Sequence, residues 1–254
     1  PQAFDTDLHM AFSGGGVSRI ILADDLKQER SKSLSASVNY DRAKEEYVYG
    51  FTFEGFYTHL KDAFYQDPTG DSDSYGDIFV KRNGAGARVK GLTMELRANF
   101  NQIVQLESGF TLQQSLYDEA VEYSDNLPLK KEFLRSPDSY GYATISYNPS
   151  DKISFAANLV YTGVMSLIHL AGSPGQLEDE FLESSVFNTI GVKSTYIQVL
   201  NESGIKIEYS VGAKNLTNNF QQEFDSLKNR DSNFIYGPSL PRTIYFGITL
   251  KSMK

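Results

Sequence analysis

Apolar and polar residues alternate one by one along most of the chain. Between residues 91 and 100, Leu92, Met94, Leu96, Ala98 and Phe100 fall on one face, and Thr93, Glu95, Arg97 and Asn99 on the other. The same period of two runs through residues 34–40, 104–116, 153–161 and 205–213. It recurs in the last segment, where Ile244, Phe246, Ile248 and Leu250 oppose Thr243, Tyr245, Gly247 and Thr249. Such a period places successive side chains on opposite faces of a β-strand, with a different environment on each face. Residues 187–200 alternate less regularly, so their register stays open. With a partial strand at residues 1–12, the pattern predicts about ten antiparallel strands joined as a meander of hairpins.

The alternating segments run roughly 10 to 13 residues, longer than the usual five or six of a soluble strand and close to what a tilted membrane strand needs. Their connections alternate in length. Short polar turns fall at residues 41–45, 101–102, 148–151 and 201–204; long connections fall near 13–31, 62–86, 117–137, 163–186 and 215–240. Compact soluble domains rarely carry several loops beyond about 12–15 residues, whereas membrane barrels combine short periplasmic turns with long extracellular loops. The pattern therefore favours an all-β, antiparallel transmembrane β-barrel over a soluble β fold. Its apolar face (Leu92, Met94, Leu96, Phe110, Leu112, Phe155, Leu159, Ile244, Phe246 and Ile248) is expected to meet lipid. The terminal strand then runs down to the periplasm, which puts the 215–240 loop outside. Asn215 and Asn219 favour a turn at its start and Gly237-Pro238 with Leu240-Pro241 a stiff re-entry, and its Phe220, Phe224, Phe234, Ile235 and Tyr236 supply apolar area to order it.

Composition narrows this reading. Mean hydropathy is −0.37, and no run of about 18 apolar residues could form a membrane-spanning helix. A barrel remains allowed, because every second residue of its strands faces a polar lumen. The 16 Tyr and 17 Phe, with no Trp, suit interfacial girdles. The absence of cysteine removes disulfides, thiolate catalysis and cysteine-ligated metals. A net charge of −8 argues against a nucleic-acid partner. The chain begins at Pro1 with neither an initiator Met nor a signal peptide, so a processed or truncated end is expected.

Candidate chemistry is sparse. His9, His59 and His169 are too far apart to form a motif, and the plain reading is hydrated or packed side chains rather than haem or metal-chelate contacts. Residues 67–77 concentrate carboxylates in one connection. Asp71, Asp73 and Asp77 are weak calcium candidates, but Tyr75 and Arg82 occupy two positions where an EF-hand loop needs ligands, so a solvated loop is the simpler reading. Gly14-Gly15-Gly16 lacks a following Lys-Ser or Lys-Thr and reads as a flexible loop. Glu95, Arg97, Glu107, Lys206 and Glu208 sit mid-strand on the polar face and read as an inward ladder of opposite charges rather than an acid–base set. No enzyme activity and no cofactor are expected.

The terminal run from Ile235 through Gly237-Pro238 to Leu250, with Gly212-Ala213-Lys214-Asn215-Leu216-Thr217 and Asn229-Arg230-Asp231-Ser232 before it, resembles the last hairpin of a TonB-dependent outer-membrane receptor. Ala87-Arg88-Val89-Lys90-Gly91-Leu92 is similar to that family's strand opening, Phe133-Leu134-Arg135-Ser136-Pro137 to its loop-to-strand re-entry, and Pro1-Gln2-Ala3-Phe4-Asp5 to the tail of a mid-barrel segment. Members often finish on an aromatic residue, whereas this chain finishes Lys251-Ser252-Met253-Lys254. The resemblance implies that residues 1–254 are the C-terminal portion of a 22-stranded barrel, with the plug domain and the N-terminal strands absent. It further implies a bacterial outer-membrane location, surrounding lipid, TonB contacted through the missing N-terminal part, and a scarce small-molecule ligand taken up at the extracellular loops. Siderophore, cobalamin, haem and oligosaccharide all stay open. Loop aromatics are the expected ligand contacts: Tyr75, Tyr117, Tyr123, Phe181 and Tyr236. The rival readings are a soluble or surface β domain for adhesion or carbohydrate binding, and a porin-like channel.

Overall fold

The computed structural model describes residues 10–13, 16–73, 76–173, 175–201, 204–225, 231 and 234–252. Sixteen strands and no α-helix occur among them. Nine long strands form one antiparallel meander: β3 (Arg30–Ala43), β4 (Tyr47–Lys61), β7 (Gly86–Phe100), β8 (Val104–Val121), β10 (Ser139–Ser150), β11 (Ile153–Thr162), β14 (Phe187–Leu200), β15 (Ile205–Lys214) and β16 (Thr243–Ser252), each paired to the next. Phe187–Leu200, the segment of open register, pairs over Phe187–Tyr196 with β11 and over Val192–Leu200 with β15. Most of the expected strand at residues 1–12 lies outside the described residues. Its last residues belong to β1 (Met10–Ser13), which pairs with β2 (Gly16–Leu22) rather than with the large sheet.

The turns at one end are short because their residues accept the required backbone. Asn101 and Gln102 both adopt positive φ, 49° and 59°, and the Ile103 N–H donates to the Phe100 carbonyl at 2.8 Å. Consecutive left-handed residues are what a hairpin turn matching strand twist needs. At the other end the long connections carry structure of their own. β5 (Phe64–Asp73) and β6 (Gly76–Asn83) form a hairpin that joins β1 and β2 in a four-stranded sheet, with β2 parallel to β6. β9 (Lys130–Glu132) pairs with β8, and β12 (Ser166–His169) with β13 (Glu180–Glu183). The acidic connection thus folds as a hairpin, and Gly16 opens β2 rather than lying in a loop.

The two faces of the large sheet differ as the alternation requires. Nine of the ten residues expected on the lipid face are exposed, from 42% at Leu96 to 75% at Ile244, while Leu159 is half-buried. Toward the turn end this face carries ring pairs, Tyr40 on Phe51 at 5.6 Å, Tyr47 on Tyr49 at 5.9 Å and Tyr147 on Phe155 at 6.1 Å. Such a girdle marks a membrane interface. The opposite face is polar: Thr93 and Thr111 hydroxyls meet at 2.9 Å, and Arg97 grips Asp41 two strands away. Gly50 stands between them, and a Cβ there would collide with the Asp41 carboxylate, so glycine is what lets the pair form. The expected charge ladder is therefore partly re-partnered, with Arg97 on Asp41 rather than a neighbouring Glu, and Glu208 on Lys251 at 2.9 Å.

The conventional hydrophobic core sits in neither face. Met165, Leu167, Ile168, Phe187 and Phe234 are buried among the loops at the end opposite the turns. Leu96→Arg, in the middle of the apolar face, is expected to destabilise the folded barrel by about 2–4 kcal/mol, while Gln105→Arg on the lumen face changes stability little. Urea unfolding of the whole receptor in lipid vesicles checks both.

Candidate functional site

Three connections meet at the loop end. The first, residues 122–138, is pinned by Ser124, whose hydroxyl donates to Asp179 Oδ2, and by Asn126, whose side-chain amide donates to the same oxygen at 3.2 Å. Asp179 Oδ1 accepts the Ala171 N–H at 2.7 Å, so one carboxylate ties the first connection to the second, residues 163–186. Burial alone would raise the Asp179 pKa. The Ser124, Ala171 and Asn126 donors outweigh it and hold the carboxyl below the ordinary range.

The second and third connections interlock. The His169 ring stacks on Phe234 with centroids 3.9 Å apart and planes within 5°. Its Nε2 lies 3.0 Å from Asp225 Oδ1. Asp225 also accepts the Asp231 N–H at 2.7 Å, and Asp231 accepts the Leu170 N–H at 2.8 Å. Asp231 is 1% exposed. Burial pushes the Asp225 pKa up, but the Asp231 N–H and the His169 ring together bring it below its ordinary value.

Gln221 organises the third connection, residues 215–242. It is 2% exposed, its side-chain carbonyl accepts the N–H groups of Tyr236 and Gly237 at 2.9 and 3.0 Å, and its amide donates to the carbonyls of Glu223 and Phe234 at 2.8 and 2.7 Å. Asn215, at φ 48°, starts the connection. Its amide bridges the Asn219 and Leu240 carbonyls at 3.1 and 2.9 Å and so ties the loop's two ends together. Among the described residues of this connection the expected order is carried by side chains on backbone rather than by strands.

The expected contact residues divide into two groups. Tyr117 packs on Phe133 at 4.4 Å, Tyr123 meets Phe181 edge-on at 6.1 Å, and the Lys130 ammonium lies 4.6 Å over Phe181. Tyr123 donates to the Glu132 carbonyl at 3.0 Å, and burial raises its pKa strongly. Tyr236 belongs with Phe234 and Phe187, at 5.4 and 6.1 Å. Tyr75 lies outside the described residues. A cleft of about 200 Å³ opens beside the first group, lined by Tyr65, Tyr117, Glu119, Glu122 and Leu129 among others. Two larger hollows, about 560 and 540 Å³, lie instead on the apolar outer face, around Leu34, Leu92 and Leu112 and around Ile145, Phe155 and Ile244. Their lining is what lipid chains fill, so the smaller polar cleft is the candidate ligand site.

Of the weak calcium candidates, Asp71 and Asp73 form no ligand cluster among the described residues. Asp73 pairs with Arg19 at 3.1 Å and Asp67 with Arg82 at 2.9 Å, while the Asp71 N–H donates to Thr69 at 3.2 Å; the Asp77 side chain lies outside the described residues. Among the described residues no group of three or more metal-ligating side chains is present. His59 is engaged with Asp118 at 3.0 Å, and His9 lies outside the described residues. Gln221, Asp225 and Asp231 were not singled out as site residues. Gln221 bonds backbone groups of its own connection, whereas Asp225 and Asp231 take His169 and the Leu170 N–H from 56 and 61 residues away, and no local spacing announces them.

A long-stranded antiparallel meander with an apolar outer face, a paired polar inner face and a folded cap of loops defines a β-barrel membrane protein of the receptor type. The chain matches the family described as TonB dependent receptor-like, beta-barrel over residues 2–216, and it belongs to that family. No curated protein sequence matches it. Similar solved structures include Fiu, the ferric-catecholate import receptor of K12 E. coli, at 16% identity and TM-score 0.60, covering 90% of this chain and 28% of that one. The ferric enterobactin receptor PfeA of Pseudomonas aeruginosa matches at 16% identity and TM-score 0.55, over 94% and 34%. The copper transporter OprC matches at 13% identity and TM-score 0.56, over 89% and 32%. The chain thus spans about a third of the length of these relatives in fold.

Two outcomes are expected of the cap. Gln221→Ala removes the partner of four backbone groups, that of Phe234 buried and the others part-buried, and lowers the opening free energy of residues 215–242 by about 2 kcal/mol or more, seen as faster amide exchange there with the barrel strands unchanged. The lowered Asp225 pKa means that the opened loop takes up protons more readily than the folded one below the ordinary 3.8. The stabilisation is therefore complete above about pH 5 and lost as pH falls through the folded-state pKa. Amide exchange around His169 and Asp231, corrected for intrinsic rates, should rise on acidification over this window, and Asp225→Asn should flatten that response.

Proposed function

We propose that residues 1–254 form the C-terminal part of the barrel of a bacterial outer-membrane receptor that takes up a scarce small ligand at its extracellular loops, energised through TonB. The observation that carries this reading is the folded cap. A passive pore needs no buried Gln221 or Asp231 to fix three long connections above its lumen, whereas a receptor must hold recognition side chains in place. The large sheet supplies wall and loops; β3 and β16, paired on one side only among the described residues, would meet further strands, and a plug would fill the lumen. The relatives named for ferric catecholate, ferric enterobactin and copper support a metal-bearing cargo. The carboxylates of the cleft, Glu119 and Glu122, favour a neutral or cationic ligand over a polyanion. Tyr65 and Tyr117 offer flat apolar area against which a ring system can lie.

Cells bearing the whole receptor, with and without TonB, test the proposal against labelled ferric siderophores, cobalamin, haemin and oligosaccharides. TonB-dependent accumulation of one of these is expected, and Tyr117→Ala should weaken its binding about tenfold at unchanged surface level. Partition of the receptor into the soluble fraction without detergent would instead establish the adhesion-module reading.

A further inference from the structure

The cleft beside Tyr117 exists because one strand outruns its neighbour. β7 begins at Gly86, with Ala87 opposite Tyr117, while β8 continues to Val121. Leu116 is flanked by Arg88 of β7 on one side and Glu132 of β9 on the other, and Val121 is still opposed by Lys130 on the β9 side. On the β7 side, residues 118–121 have no strand partner among the described residues. The start of β5 stands there instead, and Ala63, Tyr65 and Asp67, alternate residues of one face, line the gap. Residues with little or no side chain keep it open: Gly84, Ala85, Gly86 and Ala120. Gly86 admits no substitute. At φ 145° an added Cβ would lie 2.6 Å from the Leu60 carbonyl oxygen and 2.8 Å from Asp118 Oδ2.

Size and charge set what this cleft can take. Its volume of about 200 Å³ equals roughly six or seven waters at about 30 Å³ each, and pockets that enclose a whole small molecule run from about 300 Å³ upward. The cleft therefore takes an arm of a ligand, not the whole of it. Asp67, Glu119 and Glu122 line it, and no Lys or Arg does. Asp67 is already neutralised by Arg82 at 2.9 Å. The side chains of Glu119, exposed, and Glu122, half-buried, make no hydrogen bond or ion pair among the described residues. Tyr65 and Tyr117 supply aromatic wall. Burial, with the Asp67 charge added, pushes the Tyr65 pKa up, so its ring stays a neutral phenol. Neutral electron-rich rings beside carboxylates that lack a partner are the surroundings that favour an ammonium group.

We infer that the cleft is an amine subsite, in which an aminoalkyl or aminoaryl arm of the ligand lies against Tyr65 and Tyr117 and its ammonium is held by Glu119 and Glu122. The inference rests on the uptake reading proposed above and narrows it: the cargo carries a free amine on an arm short enough for the cleft, and its bulk stays outside. An alcohol of the same shape keeps the ring contacts but loses the charge-assisted bonds. A carboxylate of the same shape meets like charge and is rejected. The cleft thus selects by the charge at the tip of the arm, and recognition of the rest of the cargo falls to other surfaces of the cap.

The test uses the whole receptor purified in mild detergent and three probes small enough to enter: para-fluorobenzylammonium, para-fluorobenzyl alcohol and para-fluorobenzoate, with binding read from fluorine NMR line widths. The ammonium should bind saturably and about tenfold more tightly than the alcohol, and the benzoate should not bind. Glu119→Gln combined with Glu122→Gln should bring the ammonium down to the level of the alcohol, while Tyr65→Ala should weaken both. Equal binding of ammonium and alcohol to the wild type, or a double variant that keeps the preference, overturns the inference. The wild-type comparison needs no substitution, so it decides the matter even if a variant fails to fold. TonB-dependent accumulation of a ligand by a receptor that shows no preference for the ammonium overturns the subsite alone. A clear preference in a receptor that accumulates nothing through TonB overturns the uptake reading while the amine site stands.

Discussion

Every backbone N–H and C=O in a hydrocarbon medium must find a partner within the protein, and this requirement governs the rest of the molecule. Strands satisfy it only through neighbours on both sides. The meander from β3 to β16 does so without interruption for seven of its nine strands, each paired twice. Among the described residues the two outer strands are paired once, which is tolerable in lipid only if other strands complete them. β3, exposed along its whole length, is the extreme case. The ladder therefore sets a condition on what must surround this chain, independent of any side chain.

Once the wall is occupied in this way, it cannot also house a core. Its outer side chains face lipid and its inner ones face a lumen, so ordinary burial must be found elsewhere. It is found in the cap, where Leu167 is 1% exposed and His169 lies flat on Phe234. Buried and half-buried carboxylates come with it because loop backbones outside a ladder need acceptors: Asp231 takes the Leu170 N–H and Asp179 takes that of Ala171. A folded cap of this kind is costly to a simple pore and useful to a receptor.

The wall was legible in the sequence because its two solvents differ. Leu92 to Phe100 alternates with Thr93 to Asn99, and the structure keeps that parity across the four neighbouring strands β3, β4, β7 and β8. Turns were legible where one residue type accepts a rare backbone, as Asn101 does. The hairpin β5–β6 was not, because Asp67-Pro68-Thr69-Gly70-Asp71 has the composition of a loop, yet it pairs with β6, whose Arg82 meets Asp67, while Arg19 of β2 reaches Asp73 across the sheet. The cap was legible only as aromatic-rich. That Tyr117, Tyr123 and Phe181 fall in one group and Tyr236 in another depends on contacts such as Leu170 to Asp231, 61 residues apart, for which sequence offers no local sign.

Charge on the wall has a further consequence for how the strands find their register. The Arg97–Asp41 pair is part-exposed, at 39% and 56%, and an exposed pair of that kind contributes about 0–1 kcal/mol. Its value lies in what a slip would do. A shift of one residue in β7 turns every side chain to the opposite face, which would send Glu95 and Arg97 into lipid and Leu92, Met94 and Leu96 into the lumen. A single cation at mid-membrane already costs about 2–4 kcal/mol, far more than the pair itself supplies. The same depth dependence explains why Arg88 and Lys90 can share the outward parity of Leu92 without penalty: they stand above the apolar band. Height and parity together, rather than pairing strength, decide where this wall carries its charges.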